Sequence, residues 1–219
     1  MSYGEWAAIW YQWLVSEDPS YYGEDVLFLR GNINYKPIGG NEGGPRYLDP
    51  KAVYYRTGNN GETIFERTAI LIPVLTSHYS LGEIYNGRKI DSIPYLRYIT
   101  NKDTDGGDIW ATIMKKNERP SRIVRDLKKY RCESPLYLLS IPRNSKLRTT
   151  MDYPPEPGKY QTIVVGYFII IKSLPIGTFR FRFGGSNASA YRTDSIYDVK
   201  VVKGFKDNII DKSAYKNNN

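Results

Sequence analysis

Between Gly166 and Val202 the chain alternates in a way that neighbouring strands of one β-core satisfy and a helix does not. Tyr167 to Ile171 is an almost continuous apolar run, the pattern of a strand buried on both faces. Leu174-Pro175-Ile176-Gly177 reads as a turn, with Pro fixing φ and Gly free to take a positive one. Phe179, Phe181 and Phe183 then alternate with Arg180 and Arg182, which puts three rings on one face of a strand and two guanidinium groups on the other. Gly184-Gly185 is expected to stop that strand, and Ile196 to Val202 resumes the alternation. The stretch predicts an antiparallel β-sheet core.

The rest of the chain supplies partners for it. Ser2-Tyr3-Gly4-Glu5 fits a capping box, and Trp6, Ile9, Trp10, Trp13 and Leu14 recur at helical spacing, so residues 3–16 read as an amphipathic helix docked on a sheet at one end of the core. Val26–Arg30, Ala52–Arg56, Thr63–Arg67, Thr68–Thr76, Ile109–Met114, Ser121–Val124 and Arg131–Ile141 read as strands. Pro73 cannot donate to a ladder and marks an edge or a bulge. A short helix is expected over Pro94–Ile99 and a polar turn over Asp103–Asp108. Long Gly- and Pro-rich loops fill Gly31–Pro50 and Lys146–Lys159, and Gly58-Asn59-Asn60-Gly61 reads as a hairpin turn. The expected fold is mainly β: a two-sheet, jelly-roll-like β-sandwich occupying residues 1–202 as one domain, followed by a polar tail over 203–219.

Apolar and charged contents of 41% and 25% are those of a soluble globular protein, and no run approaches the roughly 18–20 apolar residues of a membrane span. The lone Cys132 excludes an intrachain disulfide framework. Ser2 to Ser16 lacks a basic leading segment and carries Glu5 and Gln12 within its apolar stretch, so the chain reads as made in the cytoplasm without a signal peptide. A net charge of +8 favours acidic partners: nucleic acid, anionic glycans or acidic protein surfaces.

Catalytic chemistry finds few candidates. His78 is the sole histidine, with Ser77, Ser80 and Glu83 beside it in sequence. Cys132 sits inside a predicted strand, and one His with one Cys does not make a zinc site. Asp103, Asp105 and Asp108 resemble part of a calcium loop, but no Glu follows at EF-hand spacing. Glu66, Glu83, Asp194 and Asp198 are the carboxylates from which a hydrolytic pair would be drawn. Asn187-Ala188-Ser189 is a glycosylation sequon by pattern alone. No cofactor fingerprint is present; Gly39–Gly44 lacks the Lys-Ser/Thr of a phosphate loop. The most distinctive charged feature is a basic patch of Lys115, Lys116, Arg119, Arg122, Arg125, Lys128, Lys129 and Arg131, which Arg180 and Arg182 would extend if the sheets bring them together. Otherwise those two arginines would pair with acids of a neighbouring subunit.

Several segments, in order, resemble a family of uncharacterised, mostly secreted bacterial β-sandwich proteins. They are Trp6-Ala7-Ala8-Ile9-Trp10-Tyr11-Gln12-Trp13, Val26–Gly31, Glu66-Arg67 with Ile70–Leu75, Tyr130–Pro135, Gly166-Tyr167-Phe168, and Leu174–Gly177 running into Arg182-Phe183-Gly184-Gly185-Ser186. The resemblance implies the fold and carries no activity. As a leaderless relative rich in Lys, Tyr, Ile and Asn, the chain is expected to be a non-enzymatic assembly protein, a minor or decorating capsid protein of a virion that acts on other protein subunits. The alternatives are a carbohydrate-binding or adhesion module, with Trp110 or Tyr21-Tyr22 as its platform, and a hydrolase using His78 or an acid pair.

Overall fold

The computed structural model describes residues 1–16, 26–30, 54–56, 61–105, 108–116, 122–145, 156–187 and 192–204, with the backbone alone at Tyr54, Tyr55 and Arg122. In chain order the elements are α1 (Tyr3–Leu14), β1 (Val26–Phe28), β2 (Tyr54–Arg56), β3 (Glu62–Phe65), β4 (Ala69–Ser80), β5 (Ile84–Tyr85), β6 (Arg88–Lys89) and α2 (Ile93–Thr104). They continue with β7 (Ile109–Lys115), β8 (Arg122–Ile123), a 3-10 turn at Leu127–Tyr130, β9 (Arg131–Glu133), β10 (Tyr137–Ile141), β11 (Gly158–Ile171), β12 (Gly177–Ser186) and β13 (Arg192–Val202). The chain is mainly β. One sheet runs β1-β4-β11-β10 with β9 also on β11, and the other runs β2-β13-β12-β7-β8 with β3 also on β13.

The centre of the first sheet is the antiparallel pair β4–β11. The two strands share a register from Ile70↔Ile171 to Ser80↔Thr162, broken once, where Tyr167 faces Leu75 and Phe168 faces Pro73. Val74 is the extra residue, so Pro73 does mark a bulge. Beyond the bulge Leu75 points the same way as Ile70, Ile72 and Val74 did, into a core shared with Tyr167 and Ile169 of β11 and with Phe179, Phe181, Phe183, Tyr197, Val199 and Val201 of the second sheet. The sheets thus face each other, and the alternation of β12 puts its rings inward. The Tyr197 hydroxyl accepts from the Arg30 N–H at 2.9 Å, a further tie between the layers.

The opposite face of β4–β11 is covered by α1. Ser2 and Glu5 form the capping box, with the Ser2 N–H donating to Glu5 at 2.6 Å and the Glu5 N–H to Ser2 Oγ at 3.3 Å. Trp10 is buried edge-on against Phe168 with centroids 5.5 Å apart, and its indole N–H donates to the Leu29 carbonyl at 2.9 Å. Trp13 packs on Phe28 at 5.4 Å. The helix therefore lies across the outer face of the sheet, not at one end of the core. Gly4 permits its close approach, because a Cβ there would sit 2.2 Å from the Glu133 carbonyl oxygen. Gln12 closes part of the sheet's edge: its amide donates to the Ser140 carbonyl (2.8 Å) and accepts the Ser140 N–H (2.9 Å), taking up β10 groups that otherwise face outward.

The other half of the inner face, Ile163 and Val165, is covered by α2 through Leu96 and Ile99. This helix is twice as long as the sequence suggests, because its acidic end has partners. Asp103 Oδ2 accepts from Ser77 Oγ (3.1 Å) and the Tyr79 hydroxyl (3.3 Å). Asn101 bridges Glu133 (2.6 Å) and Arg131 (2.8 Å), Asp105 pairs with Arg131 at 2.9 Å, and Arg97 pairs with Glu133. Asp103 and Thr104 accordingly lie in the helix and not in the expected polar turn, of which Gly106 and Gly107 lie outside the described residues.

Four further readings are corrected. The sheets are mixed, since β1 runs parallel to β4, and β2 and β3 run parallel to β13. Gly184-Gly185 does not end β12, which continues to Ser186 in register with β13. Arg131–Ile141 is two strands, β9 and β10, which pair with successive parts of β11. The strand expected over Thr68–Thr76 runs on to Ser80 as β4, so His78, expected at the strand end, lies within it. The tail from 205 onward lies outside the described residues, and no described helix is long and apolar enough to cross a membrane.

Trp10→Ala removes both the ring packing and an indole hydrogen bond, so urea unfolding is expected to show a loss of about 3–5 kcal/mol. Tyr3→Ala, at a side chain 40% exposed on the same helix, is expected to cost less than about 0.5 kcal/mol.

Candidate functional site

The period of two that sends Phe179, Phe181 and Phe183 inward sends the alternate residues of β7, β12 and β13 to the outer face of the second sheet. Register sorts them into rows. Trp110, Gly184 and Asp194 form one; Thr112, Arg182 and Ile196 the next; Met114, Arg180 and Asp198 the third. In the fourth, the Lys116 N–H donates to the Thr178 carbonyl at 2.8 Å, Thr178 faces Lys200, and Lys200 faces Thr63 of β3.

Two forked ion pairs run through the middle. Arg180 Nε and Nη2 donate to the two Asp198 oxygens at 2.7 and 2.8 Å, directly across the strands. Arg182 reaches diagonally to Asp194 at 3.1 and 2.7 Å. The carboxylates are 8% and 5% exposed beneath guanidinium groups that are about half exposed (45% and 52%), so each pair contributes about 1 kcal/mol and mainly fixes geometry. The Asp198 hydrogen bonds also raise the Arg180 pKa further. At one end Trp110 lies against Gly184, where a Cβ would meet the Thr193 carbonyl oxygen at 2.1 Å and the indole at 2.9 Å. The Arg192 guanidinium sits over that ring, 5.5 Å from its centroid. At the other end is a polar groove of about 350 Å³ lined by Gly61, Glu62, Thr63, Lys116, Thr178, Asp198 and Lys200.

The basic residues predicted as one patch are dispersed. Lys116, Arg180 and Arg182 are on this face, and the two arginines pair with acids of their own sheet, not with those of a neighbour. Lys115 has the opposite parity, with its chain 3.3 Å from the place of a Cβ on Gly177. Arg125, Lys128 and Lys129 are exposed around the 3-10 turn, where Lys129 is 3.8 Å from Asp126 and 5.7 Å from the Tyr130 centroid. Arg131 belongs to the first sheet and is engaged by Asn101 and Asp105. Arg119 lies outside the described residues, as do Tyr21 and Tyr22; Arg122 is placed by its backbone, opposite Ile113.

The catalytic candidates do not converge. The His78 ring lies 4.0 Å from that of Tyr11, on the helix-covered face, whereas Ser77 turns to Asp103 on the opposite face. The Ser80 and Thr162 hydroxyls share a hydrogen bond of 2.7 Å. Among the described residues, no hydrogen bond links His78 to Ser77, Ser80 or Glu83. Burial raises the Glu83 carboxyl, opposed by hydrogen bonds from Ser80. Asp194 and Asp198 are four residues apart along one strand, about 13 Å at a rise of ~3.3 Å, wider than the ~5–10 Å of a glycosidase pair, and each is held by an arginine. Burial pushes the Cys132 thiol up to about 12, which disfavours the thiolate. Among the described residues no three His, Cys, Asp or Glu side chains form a metal-binding group.

Burial lowers the His78 imidazole to about 4. Between its ordinary value near 6.5 and about 4 the unfolded chain therefore binds the proton first. Stability from this residue is intact above about 6.5 and falls by up to about 3 kcal/mol as the pH drops to about 4. Urea unfolding at several pH values is expected to show a shallower acid slope for His78→Phe than for the wild type; parallel slopes would remove this assignment. Compared with known proteins, the chain matches no family model, no curated protein and no solved structure.

Proposed function

We propose that the protein is a non-enzymatic assembly protein that works by protein–protein contact through the outer face of the second sheet. One observation carries this: the two sheets are treated differently on their outer faces. The first is covered by α1. The second presents exposed Arg180 and Arg182 already held by internal ion pairs, with exposed Arg192 over Trp110 at one end and exposed Lys200 at the other. Side chains fixed before contact lose little rotamer freedom on binding, and a pre-paired charged face recognises a complementary surface without burying an unpaired charge.

In this reading the two sheets make a sandwich of jelly-roll type. The repeated passage of the chain from one sheet to the other, as at β1 to β2, β3 to β4 and β11 to β12, supports that connectivity. The setting we propose is a viral capsid in which the protein is a minor or decorating subunit, a placement that rests on the sequence resemblance and composition alone. Mass spectrometry of purified particles is expected to recover the protein at fixed stoichiometry. Lysine acylation is expected to mark Lys200 and Lys116 in the free protein and to spare them in the particle. A compact monomer absent from particles would overturn the assignment.

A carbohydrate-binding module is the second reading, favoured by Trp110 in the same row as Asp194, with one strand between them, on the outer face of the second sheet. Arg192 already occupies one face of that ring, which is why it stands second. It predicts a glycan-array signal lost in Trp110→Ala, and an array without signal would sink it.

A further inference from the structure

We propose that the groove at the Lys116–Lys200 end of this face is a binding site for a phosphate or sulfate monoester carried on a small polar unit of about the size of a sugar. The inference does not depend on whether the face assembles with other subunits.

The first observation is the row itself. Lys116, Thr178, Lys200 and Thr63 come from, or directly follow, four adjacent strands (β7, β12, β13 and β3), at one level and on one side of the sheet. Adjacent strands are about 4.8 Å apart, so the two lysine backbones stand roughly 10 Å apart with Thr178 between them. A lysine stem spans more than half that distance, so both ammonium groups can converge on one anion above Thr178. The Thr178 and Thr63 hydroxyls add two donors from the floor.

The second observation concerns charge. Two of the residues lining the groove, Glu62 and Asp198, carry carboxylates, which would repel an anion if they were unpaired. Each has its own guanidinium: Asp198 is chelated by Arg180 at 2.7 and 2.8 Å, and Glu62 pairs with Arg56. Among the described residues, Lys116 and Lys200 have no hydrogen-bond or ion-pair partner through their side chains, so the two ammonium charges remain available to a ligand. Both side chains are exposed.

Third, the shape selects the ligand class. At about 350 Å³ the groove is at the small end of ligand clefts, which run from about 300 to 1,000 Å³, and holds a tetrahedral oxyanion with one sugar-sized unit. Lysines act as mobile point charges and hydroxyls as single donors, a set suited to an oxyanion with three terminal oxygens. The planar forks that suit a carboxylate are already filled by Asp194 and Asp198.

The test titrates the full chain with inorganic phosphate, sulfate and acetate by calorimetry, and follows the amide resonances of Thr63, Thr178 and Lys200 by NMR. Saturable binding of phosphate or sulfate is expected, at least tenfold tighter than acetate, weakening as salt is raised, with shifts centred on those amides. Tighter phosphate identifies a phosphate ester as the natural group, and tighter sulfate a sulfate ester. The double variant Lys116→Ala/Lys200→Ala, at two exposed positions, is expected to keep the wild-type melting temperature and to bind at least tenfold more weakly. Binding no tighter than acetate, binding unchanged in the double variant, or shifts confined to other parts of the chain would each overturn the proposal.

Discussion

The structure depends on the β4–β11 pair having to be covered on both faces. Ile70, Leu71, Ile72, Val74 and Leu75 on one strand and Ile163 to Ile169 on the other are apolar at nearly every position, and most are fully buried. A strand of that composition cannot leave either side to water. One side takes the tryptophan stripe of α1, and the other is divided between the phenylalanines of β12 and the Leu96–Ile99 surface of α2. The bulge at Val74 keeps the inward set continuous where Pro73 interrupts the ladder, so that Leu75 joins the same core.

Much of this is written locally. The capping box, the stripe of α1, the Phe–Arg alternation of β12 and the special role of Pro73 each depend on neighbours in sequence, and a period or a missing donor reveals them. Asn86-Gly87 carried an equally local signal, a two-residue turn with both residues at positive φ between β5 and β6, but it falls in a stretch whose period is mixed. What was not legible depends on distant partners. The end of α2 reads as a loop because Asp103 and Asp105 disfavour a helix by themselves; Ser77, Tyr79 and Arg131, far away in sequence, reverse that preference. Gly184 reads as a strand end because glycine weakens strands, whereas here it makes room for the Trp110 ring. The parallel edges require three-residue and four-residue strands to find partners more than 40 residues away, and no local pattern specifies that.

The candidate site shows the same division more sharply. Arg180 and Arg182 were recognisable as residues of one face of a strand and Asp198 as a member of the next, whereas Asp194 lies before the Ile196–Val202 alternation and was legible only as a carboxylate. Their pairing follows from register: Gly177↔Val201 sets Arg180 opposite Asp198 and leaves Arg182 to reach Asp194 diagonally. A shift of one residue would have turned the aspartates toward the phenylalanine core. The basic run from Lys115 to Arg131 looked like a patch because its members are adjacent in sequence, yet the chain leaves the second sheet and enters the first within it. Proximity along a chain that changes layers is a poor guide to proximity in space.

The same register decides where the outer face has charge to offer. Where an arginine lies opposite or diagonal to an aspartate, the forked geometry uses both, and the middle of the face is close to neutral and rigid. Row four has no acid of its own, since Thr178 and Thr63 alternate there with Lys116 and Lys200. Lys116 and Lys200 therefore stand as a pair of uncompensated charges at the groove end, next to a concave surface, while Arg192 lies over Trp110 at the other end. A partner that sees only net charge would be attracted anywhere on a protein of +8, but one with a compact anionic group finds two unpaired ammonium charges and two hydroxyls in this corner. The ion pairs thus do more than hold two strands together: by occupying the carboxylates beside the groove, they leave its lysines to the ligand.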